Sequence, residues 1–158
     1  MRAAVTCLGH RHRGDDAAGM LVADRLAAAG VPLLDCGEDP SRLLDHLAGL
    51  DLLVVVDAVR SGAPPGTLHR IVLGEGDESA RTLGLASTHA LSIVDALALA
   101  RALGRAPGET VVHGIEGAAF GLGEPLTTAV AEGLDELTRR VIEGVSAERP
   151  VVVPGRAG

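Results

Sequence analysis

The fold is decided by the stretch Asp51-Leu52-Leu53-Val54-Val55-Val56-Asp57 of this 158-residue chain. Five apolar residues stand on consecutive positions between two aspartates, without the alternation of polar and apolar residues that a strand with one solvated face shows. Such a strand is covered on both faces, as the central strands of parallel sheets are. The stretch therefore predicts an α/β domain built around a parallel sheet.

The segments on either side of this strand alternate between strand-like and helix-like patterns. Before it, the sequence predicts a strand at 2–8, a helix at 16–29 ended by Gly30, a strand at 31–35 and a short helix from Asp39-Pro40 to Gly49. After it, the sequence predicts a strand at 67–73, a polar and mobile stretch at 74–85, a helix from Ser87-Thr88 to just before Gly104, a strand at 109–115, a glycine-rich loop at 116–124 and a helix at 128–145 with Thr127 as its N-cap.

The connection at 60–66 is too short for a crossover helix. The strand at 67–73 is therefore expected to run antiparallel to the strand at 51–57, near a sheet edge. The whole pattern predicts a three-layer α/β sandwich, with a mostly parallel five-stranded sheet and helices on both faces. We expect one domain at 1–145 and a flexible tail at 146–158.

Composition excludes several classes of partner and mechanism. A net charge of −7 and a single aromatic residue, Phe120, argue against nucleic-acid binding. All 14 basic residues are arginine, so no mechanism can use a lysine amine. No stretch is long enough to span a membrane and no signal peptide is visible, so we expect a cytoplasmic protein, a monomer in our interpretation. Cys7 and Cys36 are read as buried, reduced thiols.

Acidic residues collect where the predicted strands end. Asp15 and Asp16 lie in the turn between the first strand and the first helix, and Asp57 directly follows the central strand. Ligands of parallel α/β folds bind outside the carboxyl ends of the strands, and the first and third strands are normally neighbours. The sequence thus predicts that Asp57 lies close to the turn that carries the two aspartates.

One histidine adds a nitrogen ligand to these carboxylates. His89 lies in the first turn of a helix, where the dipole disfavours the charged imidazolium and keeps the ring available as a ligand or base. Two carboxylates and one histidine suit a divalent ion such as nickel, zinc or cobalt. His10 and His12 could add ligands. The remaining histidines, His46, His69 and His113, lack acidic company in this interpretation.

Two other α/β classes fit the pattern less well. A dinucleotide-binding domain needs a G-x-G-x-x-G turn, whereas this turn places two carboxylates where a pyrophosphate would lie. A phosphoacceptor receiver domain shares an acidic pair and an aspartate after the third strand, but it uses a lysine, which this chain does not have.

The ordered set of motifs resembles the hydrogenase maturation endopeptidase family. It consists of Gly9-x4-Gly14-Asp15-Asp16-x2-Gly19, Val54-Val55-Val56-Asp57-Ala58, Ser87-Thr88-His89 and Gly114-Ile115-Glu116, and it covers about residues 2–145. Members of this family remove a C-terminal extension from the large subunit of NiFe hydrogenases after nickel insertion.

The resemblance implies a role for each site residue. Asp16, Asp57 and His89 would be the catalytic and metal-contacting residues, with the nickel carried by the substrate and no organic cofactor. Asp15 would cap and orient the helix. Members usually have Asn where this chain has His10, and the usually apolar residues of the turn are here Arg11, His12 and Arg13; the four residues 10–13 are expected to bind substrate.

Two functions follow from the resemblance. The first is a metal-dependent endopeptidase, of aspartic or metallo type, acting on a hydrogenase large-subunit precursor. The second is a nickel-binding chaperone or docking module on the same fold, without catalysis. No serine or cysteine nucleophile with a matching base is evident in the sequence, which agrees with the first.

Overall fold

The computed structural model describes residues 2–35, 40–73 and 88–146, with the side chains of 40–41 and 88–92 outside that description. Five strands and four α-helices follow one another in these ranges. They are β1 (Ala3–Cys7), α1 (Ala18–Ala28), β2 (Leu33–Leu34), α2 (Leu44–Leu47), β3 (Leu52–Val59), β4 (Leu68–Leu73), α3 (Thr88–Ala102), β5 (Glu109–Glu116) and α4 (Thr128–Ser146). Short 3-10 turns at Gly14–Ala17 and Pro40–Leu43 precede α1 and α2.

The strands form one sheet in the order β2-β1-β3-β5-β4. All neighbours pair in parallel except β4, which pairs antiparallel with β5. The central strand is β3, and all eight of its residues are buried. The prediction of a mostly parallel sheet built around this stretch is confirmed, as is the antiparallel strand at an edge.

β4 runs antiparallel to β3, as predicted, and β5 lies between the two strands. Two details of the sheet differ from the prediction. β2 is two residues long instead of five, because only Leu33 and Leu34 pair with β1. β3 continues through Asp57 to Val59, since β5 provides a pairing partner up to Glu116.

Helices cover both faces of the sheet, as predicted. α1 and α4 bury Val22, Leu26, Leu134 and Leu137 against one face. α2 and α3 bury Leu47, Ile93 and Leu97 against the other. With Phe120 as the single aromatic residue, both layers are built from aliphatic side chains, which gain roughly 1.5–3 kcal/mol each on full burial. The three-layer sandwich is therefore confirmed.

The helix boundaries differ by a few residues from those predicted. The helix expected from Asp16 begins as the 3-10 turn Gly14–Ala17 and becomes α-helical at Ala18. α4 ends one residue later than predicted. Cys36, Asp39, Ser87, the stretch at 74–85 and the tail from 147 onward lie outside the described residues.

None of the helices in the described ranges is long and apolar enough to cross a membrane.

Candidate active site

The carboxyl ends of β1 and β3 meet at one edge of the sheet. The two strands pair in register from Ala3 with Leu52 to Cys7 with Val56, and the Leu8 N–H then donates to the Val56 carbonyl at 2.8 Å. Asp57 is the next residue of β3 and is 1% exposed. Its Oδ1 accepts a hydrogen bond from the Ala58 N–H at 2.8 Å. The predicted nearness of Asp57 to the turn after β1 follows from this pairing and is confirmed.

Two glycines allow that turn to fold tightly. A Cβ atom at Gly9 would lie 2.1 Å from the Asp16 carbonyl oxygen, which accepts a hydrogen bond from the His10 N–H. A Cβ at Gly14, where φ is +55°, would lie 2.3 Å from the Ala119 carbonyl oxygen. These distances leave no room for a side chain, which explains the two glycines of the motif.

A third glycine brings α1 against the strand ends. A Cβ atom at Gly19 would lie 2.0 Å from the Leu8 carbonyl oxygen and 3.3 Å from that of Val56. The first turn of α1 is therefore packed on the backbone of β1 and β3. This contact fixes the preceding 3-10 turn, and the two aspartates in it, at the sheet edge.

Asp15 connects this turn to the loop between β5 and α4. The residue is fully buried, and its Oδ2 accepts hydrogen bonds from the N–H groups of Ala118 at 2.8 Å and Ala119 at 3.1 Å. Its Oδ1 accepts from the Thr127 N–H at 2.8 Å, and the Thr127 hydroxyl lies 3.0 Å from both carboxylate oxygens. The prediction that Asp15 caps its own helix is wrong: the 3-10 turn has no side-chain cap, and the carboxylate binds residues 103 to 112 positions away.

Thr127 occupies the N-cap position predicted for it. Its carbonyl accepts the hydrogen bond of the Ala131 N–H at 3.0 Å, which is the first of α4. Its hydroxyl is bound to Asp15, so the start of α4 and the turn before α1 are joined through one carboxylate.

Asp16 lies beside Asp15 in the same 3-10 turn. It is 5% exposed, and its Oδ1 would be 3.9 Å from a Cβ atom at Gly9, which places the carboxylate next to the end of β1. Asp16 and Asp57 are thus both buried near the point where the pairing of β1 with β3 ends. The carboxylates of Asp15, Asp16 and Asp57, together with that of Glu116 at the end of β5, form what we call the acidic edge of the sheet.

His89 lies in the first turn of α3, as predicted. Its side chain is outside the described residues, so the predicted set of Asp16, Asp57 and His89 is not tested by the geometry. Among the side chains that the structure describes, no three His, Cys, Asp or Glu residues form a group able to hold a metal ion.

The predicted substrate-binding residues 10–13 lie on the outside of the turn. His10, Arg11 and His12 line a recess of about 290 Å³ together with Cys7 and Asp35. The Arg11 guanidinium donates two hydrogen bonds of 2.8 Å to the Asp24 carboxylate, so its charge is already paired. Arg13 is exposed.

Glu116 is a site residue that the sequence interpretation missed. It is 1% exposed, and its carboxylate accepts hydrogen bonds from the Ser61 N–H at 2.8 Å and from the Ser61 hydroxyl. His69 Nε2 lies 3.1 Å from its Oε1, so the prediction that His69 lacks acidic company is wrong. Burial alone would raise the pKa of Glu116, but the hydrogen bonds from Ser61, with a smaller contribution from His69, lower it below the ordinary value.

A signal for Glu116 was present in the sequence. It stands at the end of a buried strand, as a charge does in the pattern that singled out Asp57, although His113 and Gly114 interrupt the apolar run before it. Ser61 and His69 carried no such signal, because they become neighbours of Glu116 only through the pairing of β5 with β3 and with β4.

One positively charged side chain, that of Arg60, packs on Phe120 in the loop that Asp15 binds. The Arg60 guanidinium, three residues after Asp57, is centred 4.3 Å from the centre of the Phe120 ring. The Phe120 ring in turn fills the space beside Gly117, where a Cβ atom would lie 2.5 Å from the ring. A guanidinium over an aromatic face is attracted to it by ~0.5–2 kcal/mol, which restrains its position.

These features define what the acidic edge can do. Carboxylates are hard oxygen ligands, and several of them excluded from water attract a cation strongly, because the interaction is weakly screened. A carboxylate held near a bound substrate can also take a proton from an attacking water molecule. The described carboxylates therefore suit proton transfer in hydrolytic chemistry, whereas the described side chains alone do not assemble a metal site.

Comparison with known proteins gives a consistent result. The family model described as hydrogenase maturation protease, HycI, matches residues 20–144. The hydrogenase expression/formation protein HoxM of Azotobacter vinelandii is 36% identical over 132 residues, which cover 82% of this chain and 62% of that protein. The chain spans 40–62% of the length of the curated relatives it matches.

Two solved structures share the fold. The hydrogenase maturating endopeptidase HybD from E. coli superposes with a TM-score of 0.78 at 25% identity, covering 92% of both chains. The NiFe hydrogenase maturation protease HybD from Thermococcus kodakarensis superposes with a TM-score of 0.77 at 29% identity, covering 90% of this chain and 98% of that one.

Proposed function

Because the chain belongs to the hydrogenase maturation protease family, we propose that it is an endopeptidase that removes the C-terminal extension of a NiFe hydrogenase large-subunit precursor. The observation that carries the proposal is the match to the family over residues 20–144, a range that includes Asp57 and His89 and begins after Asp16. The buried carboxylates of Asp16 and Asp57, near the carboxyl ends of adjacent strands, supply the chemical groups that the proposed activity needs.

The proposed substrate is a precursor that already contains nickel. In this proposal Asp16, Asp57 and His89 contact the nickel of the precursor, so the metal is part of the substrate and the chain needs no organic cofactor. Two carboxylates and one imidazole do not fill the coordination positions of a divalent ion. The precursor's own ligands would occupy the remaining positions. Recognition of nickel by these residues would restrict cutting to precursors in which metal insertion is complete.

The proposed reaction is hydrolysis of one amide bond. Water adds across the scissile peptide, leaving a new carboxyl terminus on the large subunit and a free amine on the released peptide. The nickel ion would polarise the carbonyl or the water, and a carboxylate of the acidic edge would accept the proton of that water. This gives the enzyme a metal-dependent character, although the metal enters with the substrate.

Asp15 has a positioning role in this proposal. Its carboxylate is occupied by hydrogen bonds from Ala118, Ala119 and Thr127, so it holds the turn in place. Residues 10–13, on the outside of the same turn, would contact the precursor. We place the reaction in the cytoplasm, where the buried thiol of Cys7 would stay reduced.

The test compares nickel-loaded and nickel-free precursors. Candidate NiFe hydrogenase large-subunit precursors are incubated with the purified chain, and the C-terminus is followed by mass spectrometry. We expect the nickel-loaded form to lose a C-terminal peptide and the nickel-free form to stay intact. Asp16→Asn, Asp57→Asn and His89→Ala should each slow the cutting at least about 100-fold, the scale of a lost acid/base or metal contact.

A matched variant controls for the loss of a carboxylate as such. Asp135→Asn changes an aspartate on α4 whose side chain is 92% exposed, and it should cut at the wild-type rate. Circular dichroism of each variant checks that the fold is kept. Equal cutting of both precursor forms would contradict nickel recognition, and stable binding of loaded precursor without any change in its mass would replace the peptidase by a docking module.

A further inference from the structure

A second recess lies at the other end of the sheet from the acidic edge. It has a volume of about 350 Å³ and lies between α4 and strands β3, β4 and β5. Its floor is formed by Leu52, Val54 and Val111, which belong to the first halves of β3 and β5. We call it the His113 pocket, after the buried histidine that lines it.

His113 is a polar side chain without a partner in this pocket. It is 5% exposed, and within residues 2–35, 40–73 and 88–146 its ring makes no hydrogen bond or ion pair. A Cβ atom at Gly144 of α4 would lie 3.7 Å from His113 Nε2, so this nitrogen faces the helix that forms one wall of the pocket. Because His113 lines the pocket, this nitrogen is available to a ligand that enters it.

Two arginines act on the same ring. Arg70 stands opposite His113 in the pairing of β4 with β5, and Arg140 comes from α4. Burial, followed by the charges of Arg70 and Arg140, lowers the pKa of His113 to about 4. At neutral pH the ring is therefore uncharged, with one N–H to donate, and the potential around it is positive.

The acidic residues of the pocket do not cancel this potential at His113. The Glu143 carboxylate is paired with the Arg139 guanidinium. Glu109 lies four residues before His113 on β5, which is about 13 Å along a strand. Arg140 donates through Nε to Glu136 at 3.2 Å, which leaves the terminal N–H groups of its guanidinium for another acceptor.

We propose that the His113 pocket binds a small organic carboxylate, with the carboxylate between Arg70, Arg140 and His113 and the apolar part against Val54 and Val111. A planar guanidinium matches a carboxylate through two parallel hydrogen bonds, which a neutral amide of the same shape cannot replace. The apolar floor favours a ligand with a short aliphatic chain over a bare inorganic anion.

The test uses isovalerate as the probe and isovaleramide as its uncharged equivalent. The full chain is titrated at pH 7 while the ring signals of His113 are followed by NMR. Isovalerate should shift them in a saturable way, more tightly than acetate, whereas isovaleramide should leave them unchanged. Arg70→Gln and Arg140→Gln should each weaken the binding of isovalerate at least about five-fold, on the scale of one charge-assisted hydrogen bond.

Arg42→Gln is the matched control, since Arg42 is exposed and precedes α2 on the opposite face of the sheet. It should bind isovalerate like the wild type. Equal shifts with isovalerate and isovaleramide, full competition by an equal concentration of chloride, or unchanged binding in both pocket variants would each overturn the proposal. No precursor is present in this experiment, so its outcome is independent of the proposed peptidase activity.

Discussion

At the scale of the residue, Asp15 is expected to support the site mainly through stability. Asp15→Asn keeps the shape but removes the negative charge that receives hydrogen bonds from Ala118, Ala119 and Thr127. The NH2 group of the new amide is a hydrogen-bond donor, so it would face the backbone N–H donors that the carboxylate oxygen had bound. We expect the free energy of unfolding to fall by about 2–4 kcal/mol, measured by urea denaturation.

Asp135→Asn is again the matched control. The ion pair of Asp135 with Arg25 is exposed, at a distance of 3.2 Å, and such pairs contribute at most about 1 kcal/mol. If both variants lose the same stability, the four contacts of Asp15 do not hold the turn against the loop before α4.

Single residues also show which parts of the site were predictable. Asp57 could be identified because a charge directly after a buried apolar run must reach a crevice or be buried at a cost, and the structure buries it within β3, one residue past the pairing with β1. The cap role of Asp15 was predicted wrongly because only local partners can be judged from sequence, whereas its actual partners are 103 to 112 residues away. His69 was misjudged for the same reason, since Glu116 is 47 residues distant.

At the scale of the element, the packing of α1 on the strand ends depends on Gly19. Alanine is the better helix former by about 1 kcal/mol, but its Cβ at this position would lie 2.0 Å from the Leu8 carbonyl oxygen. Gly19→Ala should therefore force α1 away from β1 and β3 and destabilise the chain by at least about 2 kcal/mol. The thermal midpoint and the free energy from urea denaturation measure this.

A second glycine supplies the control in a helix of the same protein. At Gly144 of α4 a Cβ atom would meet its nearest described neighbour, His113 Nε2, at an ordinary 3.7 Å. Gly144→Ala should therefore be neutral or stabilise the chain by up to about 1 kcal/mol through helix propensity. Equal destabilisation by both changes would mean that helix packing at the strand ends is not what requires Gly19.

The elements themselves were largely predictable from periodicity and from turn residues. The sequence indicated every strand and every long helix, because apolar runs and apolar helical faces are local patterns. The order of the strands was less accessible. β1 pairs with one side of β3, and β5 rather than β4 pairs with the other side. No local pattern in the strand at 67–73 distinguishes pairing with β3 from pairing with β5.

At the scale of the whole molecule, the sheet separates two regions with different ionisable side chains. The acidic edge collects buried carboxylates at the carboxyl ends of the strands, and the His113 pocket places two arginines around a neutral imidazole at the other end. The net charge of −7 describes neither region. A parallel sheet produces this separation, because residues from distant parts of the chain meet wherever the strand ends coincide.

Acidification should affect the two regions in different pH ranges. Hydrogen bonds from Ser61 lower the pKa of Glu116 against the effect of burial, so the folded protein gains stability from this carboxylate above its ordinary value of 4.5. That gain is lost only when the pH falls below 4.5 toward the folded pKa. Between pH 6.5 and 4.5, a change in the free energy of unfolding therefore reports on the protonation of histidine.

His113 should make the stability fall within that range. Its pKa is lowered from 6.5 to about 4, chiefly by burial, so between these values the unfolded chain binds a proton that the folded chain does not. The free energy of unfolding should therefore decrease as the pH falls from 6.5 to 4, by up to about 3 kcal/mol in total. Urea denaturation at half-unit steps of pH measures this slope.

In His113→Gln the corresponding part of the slope should disappear, whereas His12→Gln, which changes an exposed histidine, should keep it. An unchanged slope in His113→Gln would show that this imidazole is protonated as readily in the folded chain as in the unfolded one.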